Sequence, residues 1–227
     1  MNYFVFRLLR ISFLILYLTP FAKANSEDTL KEERQVYYKL DLFRAVQGTI
    51  QLTREQLITD RISYAVGLIG TYASTRGLAK PYLTSQEFTY KDNITKVTYQ
   101  LSNVQAIGYG INLQLRNYLE KTTIKGRGYY IAPELFYRKL FLESLVVDAT
   151  SLQDKTLKRN LNLGYVGYSF GYQRVWHDVV SFDTYIGGGL FLSKYMDETQ
   201  LTKYRNAYQI DFTGFYMNMG VLIGVLR

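Results

Sequence analysis

The sequence predicts an all-β fold, an eight-stranded antiparallel transmembrane β-barrel with short periplasmic turns and longer extracellular loops. Three observations carry that expectation. Long segments alternate apolar with small or polar residues at a period of two, as strands with unlike faces do. The chain holds 22 Tyr, 13 Phe and 17 Gly but only 3 Pro, and beyond residue 24 no apolar run approaches the roughly 20 residues of a helical membrane span. The connections between segments alternate short with long, as those of transmembrane barrels do.

The N-terminal residues read as a secretory signal peptide, 1–24. Arg7 and Arg10 precede the apolar stretch Ile11 to Leu18, Pro20 breaks it, and Ala22-Lys23-Ala24 forms a cleavage site. The apolar stretch is too short for a membrane anchor. Residues 25–35 form a polar periplasmic lead-in, and 36–227 the barrel. Removing 1–24 takes away Arg7, Arg10 and Lys23 and no acid, so the net charge of +8 falls to +5. No dense basic block remains, so nucleic acid is not an expected partner, whereas outer-membrane lipid is. With no cysteine, disulfides, thiolate metal sites, cysteine nucleophiles and a lipoprotein anchor are excluded. Attachment to a membrane would then be through the fold itself.

Eight candidate strands follow. The first, Val36 to Ala45, alternates Val36, Tyr38, Leu40 and Leu42 with Tyr37, Lys39, Asp41 and Phe43; a turn at Gln47-Gly48 ends it. The second, Thr49 to Leu57, sets Thr49, Gln51, Thr53 and Glu55 against Ile50, Leu52 and Arg54. Arg54 on the apolar face calls for a site near a headgroup, where its stem can snorkel. The third, Arg61 to Ala73, sets Ile62, Tyr64, Val66 and Leu68 against Ser63, Ala65 and Gly67.

A long polar stretch, 74–103, comes next. Within it residues 87–100 flank Lys91-Asp92-Asn93 with apolar positions, a pattern for a hairpin above the barrel or for two further strands of a ten-stranded ring. The fourth strand shows the clearest alternation. Ile107, Tyr109, Ile111, Leu113 and Leu115 form one face; Ala106, Gly108, Gly110, Asn112, Gln114 and Arg116 form the other. The fifth spans Gly128 to Leu142, with Pro133 expected to cost a ladder bond or mark a bulge. The sixth, Asn160 to Val175, and the seventh, Val180 to Tyr195, meet at the turn Trp176-His177-Asp178. The last is Tyr208 to Leu226.

From a periplasmic N-terminus, the connections 58–60, 120–125 and 176–178 fall on the periplasmic side and are short. Stretches 74–103, 143–158 and 196–206 fall outside and are long, which makes them the expected working surface for an unknown ligand. The outer turn at Gln47-Gly48 is the one short exception. Most segments reach the 9–11 residues, roughly, that a tilted membrane strand needs.

An eight-stranded barrel is filled by its own side chains. The inward set includes Asp41, Glu55, Arg116, Glu134, Arg138, Gln173, Asp183 and Asn218. Buried charges must pair, so a lumen network is expected to join Arg116 and Arg138 to Glu55, Glu134 and Asp183. Its role is structural; an ion or proton path is the sharper alternative. Trp176, at a periplasmic turn, is expected in an interfacial aromatic girdle or as a cover for the barrel's base.

Catalysis is not expected. The one histidine, His177, lies in a turn beside Asp178 with Ser181 as the nearest serine, and no motif or oxyanion hole accompanies them. No metal-ligand cluster and no cofactor site are legible, and Gly187-Gly188-Gly189 sits mid-strand, where glycine serves curvature or makes room for tyrosine.

Gly108-Tyr109-Gly110, Arg116-Asn117-Tyr118-Leu119 and Gly126-Arg127-Gly128-Tyr129-Tyr130-Ile131-Ala132-Pro133 together resemble a family of small outer-membrane barrels common in Bacteroidetes, which carries the label DUF3575. Gly171-Tyr172-Gln173, Ser181-Phe182-Asp183 and Ile186-Gly187-Gly188-Gly189 fit the same pattern, as do Lys39-Leu40-Asp41-Leu42, Glu55 and Arg61-Ile62-Ser63. The resemblance covers most of the chain after residue 24. It implies a bacterial outer-membrane location and no enzymatic activity. Such barrels end on an aromatic residue read by the barrel-assembly machinery, an expected partner; this chain ends Val225-Leu226-Arg227 instead.

The functional expectation is a monomeric barrel with a structural or surface-binding role. A soluble periplasmic lipocalin-like barrel, with the apolar set turned inward around an apolar ligand, is the main alternative. A narrow pore and a lipid-modifying barrel enzyme are the others.

Overall fold

The structure is a computed structural model, and it describes residues 35–45, 47–74, 79–80, 89–91, 98–119, 126–147, 154–177, 179–197, 201–202 and 210–227. The expected signal peptide and nearly all of the lead-in lie outside these residues. Arg34–Arg227 form one compact unit.

Among the described residues, nine strands and one helical turn follow in order: β1 (Val36–Asp41), α1 (Leu42–Ala45), β2 (Thr49–Leu57), β3 (Ile62–Ser74), β4 (Thr89–Lys91), β5 (Thr98–Tyr118), β6 (Gly128–Val147), β7 (Asp154–Trp176), β8 (Val180–Tyr195) and β9 (Gly214–Leu226). Eight of them close a ring. Each pairs antiparallel with its neighbour in the order β1, β2, β3, β5, β6, β7, β8, β9, and β9 returns to β1 through Tyr37↔Leu226 to Asp41↔Leu222. The ring therefore has no free edge along its closed part, the usual way a sheet avoids unpaired backbone. Short turns and both strand termini define one end, the base; the long strand extensions define the other, the mouth.

Of the expected segment 87–100, residues 89–91 and 98–100 are described and pair antiparallel, while 87–88 and 92–97 lie outside the described residues. β4 pairs through Thr89↔Gln100 to Lys91↔Thr98 with the start of β5, and with no other strand among the described residues, so the ring stays at eight.

Several element bounds differ from the sequence expectation. The first strand stops at Asp41, because the Asp41 carboxylate accepts the backbone N–H of Phe43 at 3.0 Å and of Arg44 at 3.1 Å. That is an N-cap, and it starts a helical turn where the alternation predicted strand. The last strand begins at Gly214; the expected start at Tyr208 lies outside the described residues, and Ile210 and Phe212 are buried in the mouth instead of continuing the sheet. The expected loop 143–158 is mostly strand. β6 and β7 stay in register from Gly128↔Gln173 to Val147↔Asp154, including the facing pair Glu143 and Lys158. β5 likewise begins at Thr98, inside the expected loop 74–103, with a register shift between Ser102 and Gln105 and a left-handed Asn103 (φ 49°).

Pro133 interrupts the ladder on one side only. Pairing of β6 with β5 skips Pro133 and Ala132 without a change of register, while pairing with β7 runs through Pro133↔Tyr168. A residue with no N–H has that effect on one neighbour.

Glycines shape the wall. Inward Tyr130 and Tyr185 lie against Gly171 and Gly220, where a Cβ would overlap the ring, and Tyr165 does the same at Gly167. At Gly187 and Gly189 a Cβ would instead strike the β7 backbone, so there glycine permits the close approach of two strands in a tightly curved wall. Gly70, in contrast, faces open space. Gly171→Ala is expected to lose about 1–3 kcal/mol of folding stability through overpacking, and Gly70→Ala to lose about 0.5 kcal/mol or less. Equilibrium urea unfolding of the purified barrel checks both; equal stabilities for the two variants would contradict the cradle.

Candidate functional site

The inward face is layered. At the base, Tyr37, Leu57 and Val175 form an apolar floor. Directly above lies a cluster of four charged side chains, Lys39, Glu55, Arg116 and Asp183, all buried. Period-two alternation places them. Lys39 shares its face with Tyr37 and Asp41, Glu55 with Thr53, Arg116 with Gln114, and Asp183 with Tyr185, and each of those faces is the inner one.

The cluster is charge-balanced and densely bonded. The Lys39 ammonium donates to Glu55, to Gln173 and, at 2.9 Å, to Asp183. Arg116 Nη1 lies 3.0 Å from the Glu55 carboxylate and 2.6 Å from that of Asp183. Arg116 Nε and Nη2 both donate to Gln114 Oε1, at 3.0 and 2.9 Å. Glu55 also accepts from the hydroxyls of Ser63 and, at 2.7 Å, Tyr118; Asp183 accepts from Tyr130 at 2.8 Å. The Arg116 guanidinium lies over the Tyr130 ring, 4.5 Å from its centroid. Two cations face two anions, and each carboxylate accepts from at least one hydroxyl besides, which is what buried charge requires.

A second polar layer lies nearer the mouth. Glu134 accepts from Asn112 and, at 3.2 Å, from Asn218. Arg44, carried inward by α1, sits 3.4 Å from Asp41 and 3.9 Å from Glu134, over the Phe136 ring. Above this layer the interior turns apolar: Phe136, Leu140, Leu142, Leu161, Leu163 and Tyr165 pack with Ile69, Val104 and Ile210.

The expected lumen network is thus corrected in four respects. Arg116, Glu55 and Asp183 do meet, but Glu134 belongs to the separate upper layer with Arg44. Arg138 donates to Thr49 Oγ1 at 3.2 Å and lies over Phe136, away from the lower cluster. Lys39, absent from the expected network, is central to that cluster. Its signal was available, since it alternates in phase with Asp41. Nor is the whole lumen polar, because its upper half is filled by aliphatic and aromatic side chains.

Other candidates take these places. Trp176 is partly exposed at the base, beside Phe182 (5.8 Å between ring centroids) and under the Arg174 guanidinium. His177 is exposed in the base turn with a left-handed backbone (φ 50°), whereas Ser181 is buried inside the barrel, so the two are not brought together. Asp178 lies outside the described residues. Among the described residues no three potential ligands gather to hold a metal. Arg54 on the outer face donates to Tyr64 Oη at 3.2 Å and Gln56 at 2.7 Å near the base.

The outer face carries the opposite chemistry. Leu40, Leu52, Leu68, Ile107, Leu135, Tyr168, Leu190 and Met217 stand exposed, one from each of the eight ring strands, with Leu68 and Tyr168 at 66%. On β6, β7 and β8 this belt has sharp limits. Outward residues between Arg127 and Lys139, between Asn162 and Arg174, and from Val180 to Leu192 carry no charge. The interval on β7 is twelve residues. At about 3.3 Å per residue and a tilt of about 45°, that is about 28 Å along the barrel axis.

The lower cluster predicts strong coupling. Lys39→Met leaves Asp183 and Glu55 sharing one cation and is expected to cost about 3–5 kcal/mol. In a cycle with Asp183→Asn, the coupling between the two positions should exceed about 1 kcal/mol. Urea unfolding of the four proteins measures it, and additive losses would contradict the cluster.

No family model and no curated protein matches the chain. Among solved structures, CarO of Acinetobacter baumannii is similar at 12% sequence identity, covering 85% of this chain and 95% of that one, with a TM-score of 0.38.

Proposed function

We propose that this chain is an integral outer-membrane β-barrel, of the kind its sequence resembles, with a structural or surface-binding role. The observation that carries this reading is the outward apolar belt on every ring strand; on β6 it runs between the cations Arg127 and Lys139, about 28 Å apart along the barrel axis. A bilayer's hydrocarbon core is about 30 Å thick, and barrel belts are about 25 Å tall. A water-soluble barrel leaves no such surface exposed, since apolar patches beyond a few hundred Å² mark contact sites.

The lipocalin-like alternative needs the apolar set inside around a ligand. Here Glu55, Arg116, Glu134 and Asp183 occupy the lower interior and packed side chains the upper, while the aliphatic set faces out. The filled interior supports a closed scaffold, with binding assigned to the mouth. Trp176 and Arg174 at the lower limit of the belt suit a headgroup boundary.

Two measurements test this reading. Fractionation of expressing cells should recover the chain with outer membranes after a high-salt wash; recovery in the periplasmic fraction without detergent would overturn it. Tyr168→Arg, at the middle of the β7 belt, should cost about 2–4 kcal/mol when unfolding is followed in lipid bilayers. In a water-exposed position the same change would cost about 0.5 kcal/mol or less.

A further inference from the structure

We propose that Lys139, Asn160, Asn162 and Lys194 form a binding site for the phosphate of an anionic lipid at the mouth-side edge of the belt. The inference rests on the membrane reading above and goes beyond it by naming a ligand class and a place.

The register puts these residues together. Lys139 on β6 pairs with Asn162 on β7, and Asn162 pairs with Lys194 on β8, so the three lie in one row. Phe141 pairs with Asn160 one outward step further toward the mouth. All lie on the outer face, since Leu140, Leu161, Leu163, Ser193 and Tyr195 between them are buried. Neighbouring strands are about 4.8 Å apart, so the two lysine backbones stand about 10 Å apart. Flexible four-carbon stems close that gap onto one shared group.

The chemistry of the row is that of an anion site. Among the described residues, neither Lys139 nor Lys194 forms an ion pair. This separates them from Lys39 and Arg116, which face carboxylates, and from Lys158, which faces Glu143 at 3.8 Å. Lys139 is held over the Phe141 ring, 5.3 Å from its centroid. Tyr137 donates its hydroxyl to Asn162 Oδ1 at 3.3 Å, which leaves the Asn162 amide N–H groups as donors toward the outer face. The nearby acids are engaged elsewhere, Glu143 by Lys158 and Asp197 by Arg159.

Position selects the source of the anion. The row sits where the uncharged outer surface ends, the depth at which lipid phosphates lie. The aliphatic and aromatic residues directly below it, Leu135, Tyr137, Val166 and Leu192, offer an acyl chain a continuous path. A phosphate tethered to acyl chains meets both surfaces at once; a free phosphate meets one.

Native mass spectrometry of the chain purified from membranes tests this. The protein in detergent is mixed with equimolar phosphatidylglycerol and phosphatidylcholine, and in a second arm with bisphosphorylated lipid A and phosphatidylcholine. Retention of either anionic lipid about fivefold or more over phosphatidylcholine is expected. It should fall to near parity in K139Q/K194Q, weaken in N162D, which keeps both lysines, and persist in K158Q. Heat-modifiable electrophoretic mobility shows that each variant is folded. The arm with the larger preference identifies the headgroup. Parity in the wild type, or equal preference in K139Q/K194Q, overturns the site. A chain found soluble without detergent overturns the membrane reading and the site with it, whereas a membrane-bound chain without lipid preference overturns the site alone.

Discussion

Four buried charges near the base can be satisfied only when the ring is closed. Lys39 comes from β1, Glu55 from β2, Arg116 from β5 and Asp183 from β8, and the hydroxyls of Ser63 and Tyr130 come from β3 and β6. Gln173 adds β7. β9 contributes by the side chains it lacks: a Cβ at Gly224 would meet Lys39, and one at Gly220 would meet Tyr185. Every ring strand therefore either supplies a partner or makes room for one. Any open arrangement would leave charge in a low-dielectric space without its counterpart, which costs several kcal/mol for each ion.

That requirement organises the layers around it. The floor of Tyr37, Leu57 and Val175 keeps water from the cluster, and the tyrosines above it spend their hydroxyls on its carboxylates. Arg44 then links Asp41 and Glu134 in a layer that exists because α1 turns inward. Beyond it the strands no longer need polar fillers, and the mouth is packed like the interior of a soluble protein. Inside and outside thus reverse their usual chemistry at the base and restore it on the inner side of the mouth.

Much of this was legible from alternation alone. A period of two assigns each residue to a face without any knowledge of its neighbours, so Glu55, Arg116, Glu134 and Asp183 could be placed inside and Ile107 to Leu115 outside. Partners were not legible, because a period gives no height: Glu134 and Asp183 share a face chemistry but sit in different layers, and Arg138 lies above the cluster it was expected to join. Lys39 has the same inward phase as Asp41, yet a lone lysine in an alternating strand gives no sign of the two carboxylates it meets. Asp41 reads equally as a strand residue and as a helix cap, and only its bonds to Phe43 and Arg44 decide between them. The extensions of β5, β6 and β7 are not legible from alternation, because polar, charged sequence there still makes strand once a long partner fixes its register.

The seam between β1 and β9 joins Tyr37 to Leu226 through five paired residues, fewer than any other seam except that between β1 and β2. It is also the pairing with the greatest separation along the chain, so its loop-closure entropy is the largest in the ring. Until it forms, both β1 and β9 present bare edges, open to strands of other chains. Arrival of β1 brings Lys39 to Asp183, so the step that removes the edges also completes the charge balance. The first strand is thus the shortest of the ring and also the carrier of the cluster's ammonium, so closing the sheet and balancing the buried charge are one and the same contact.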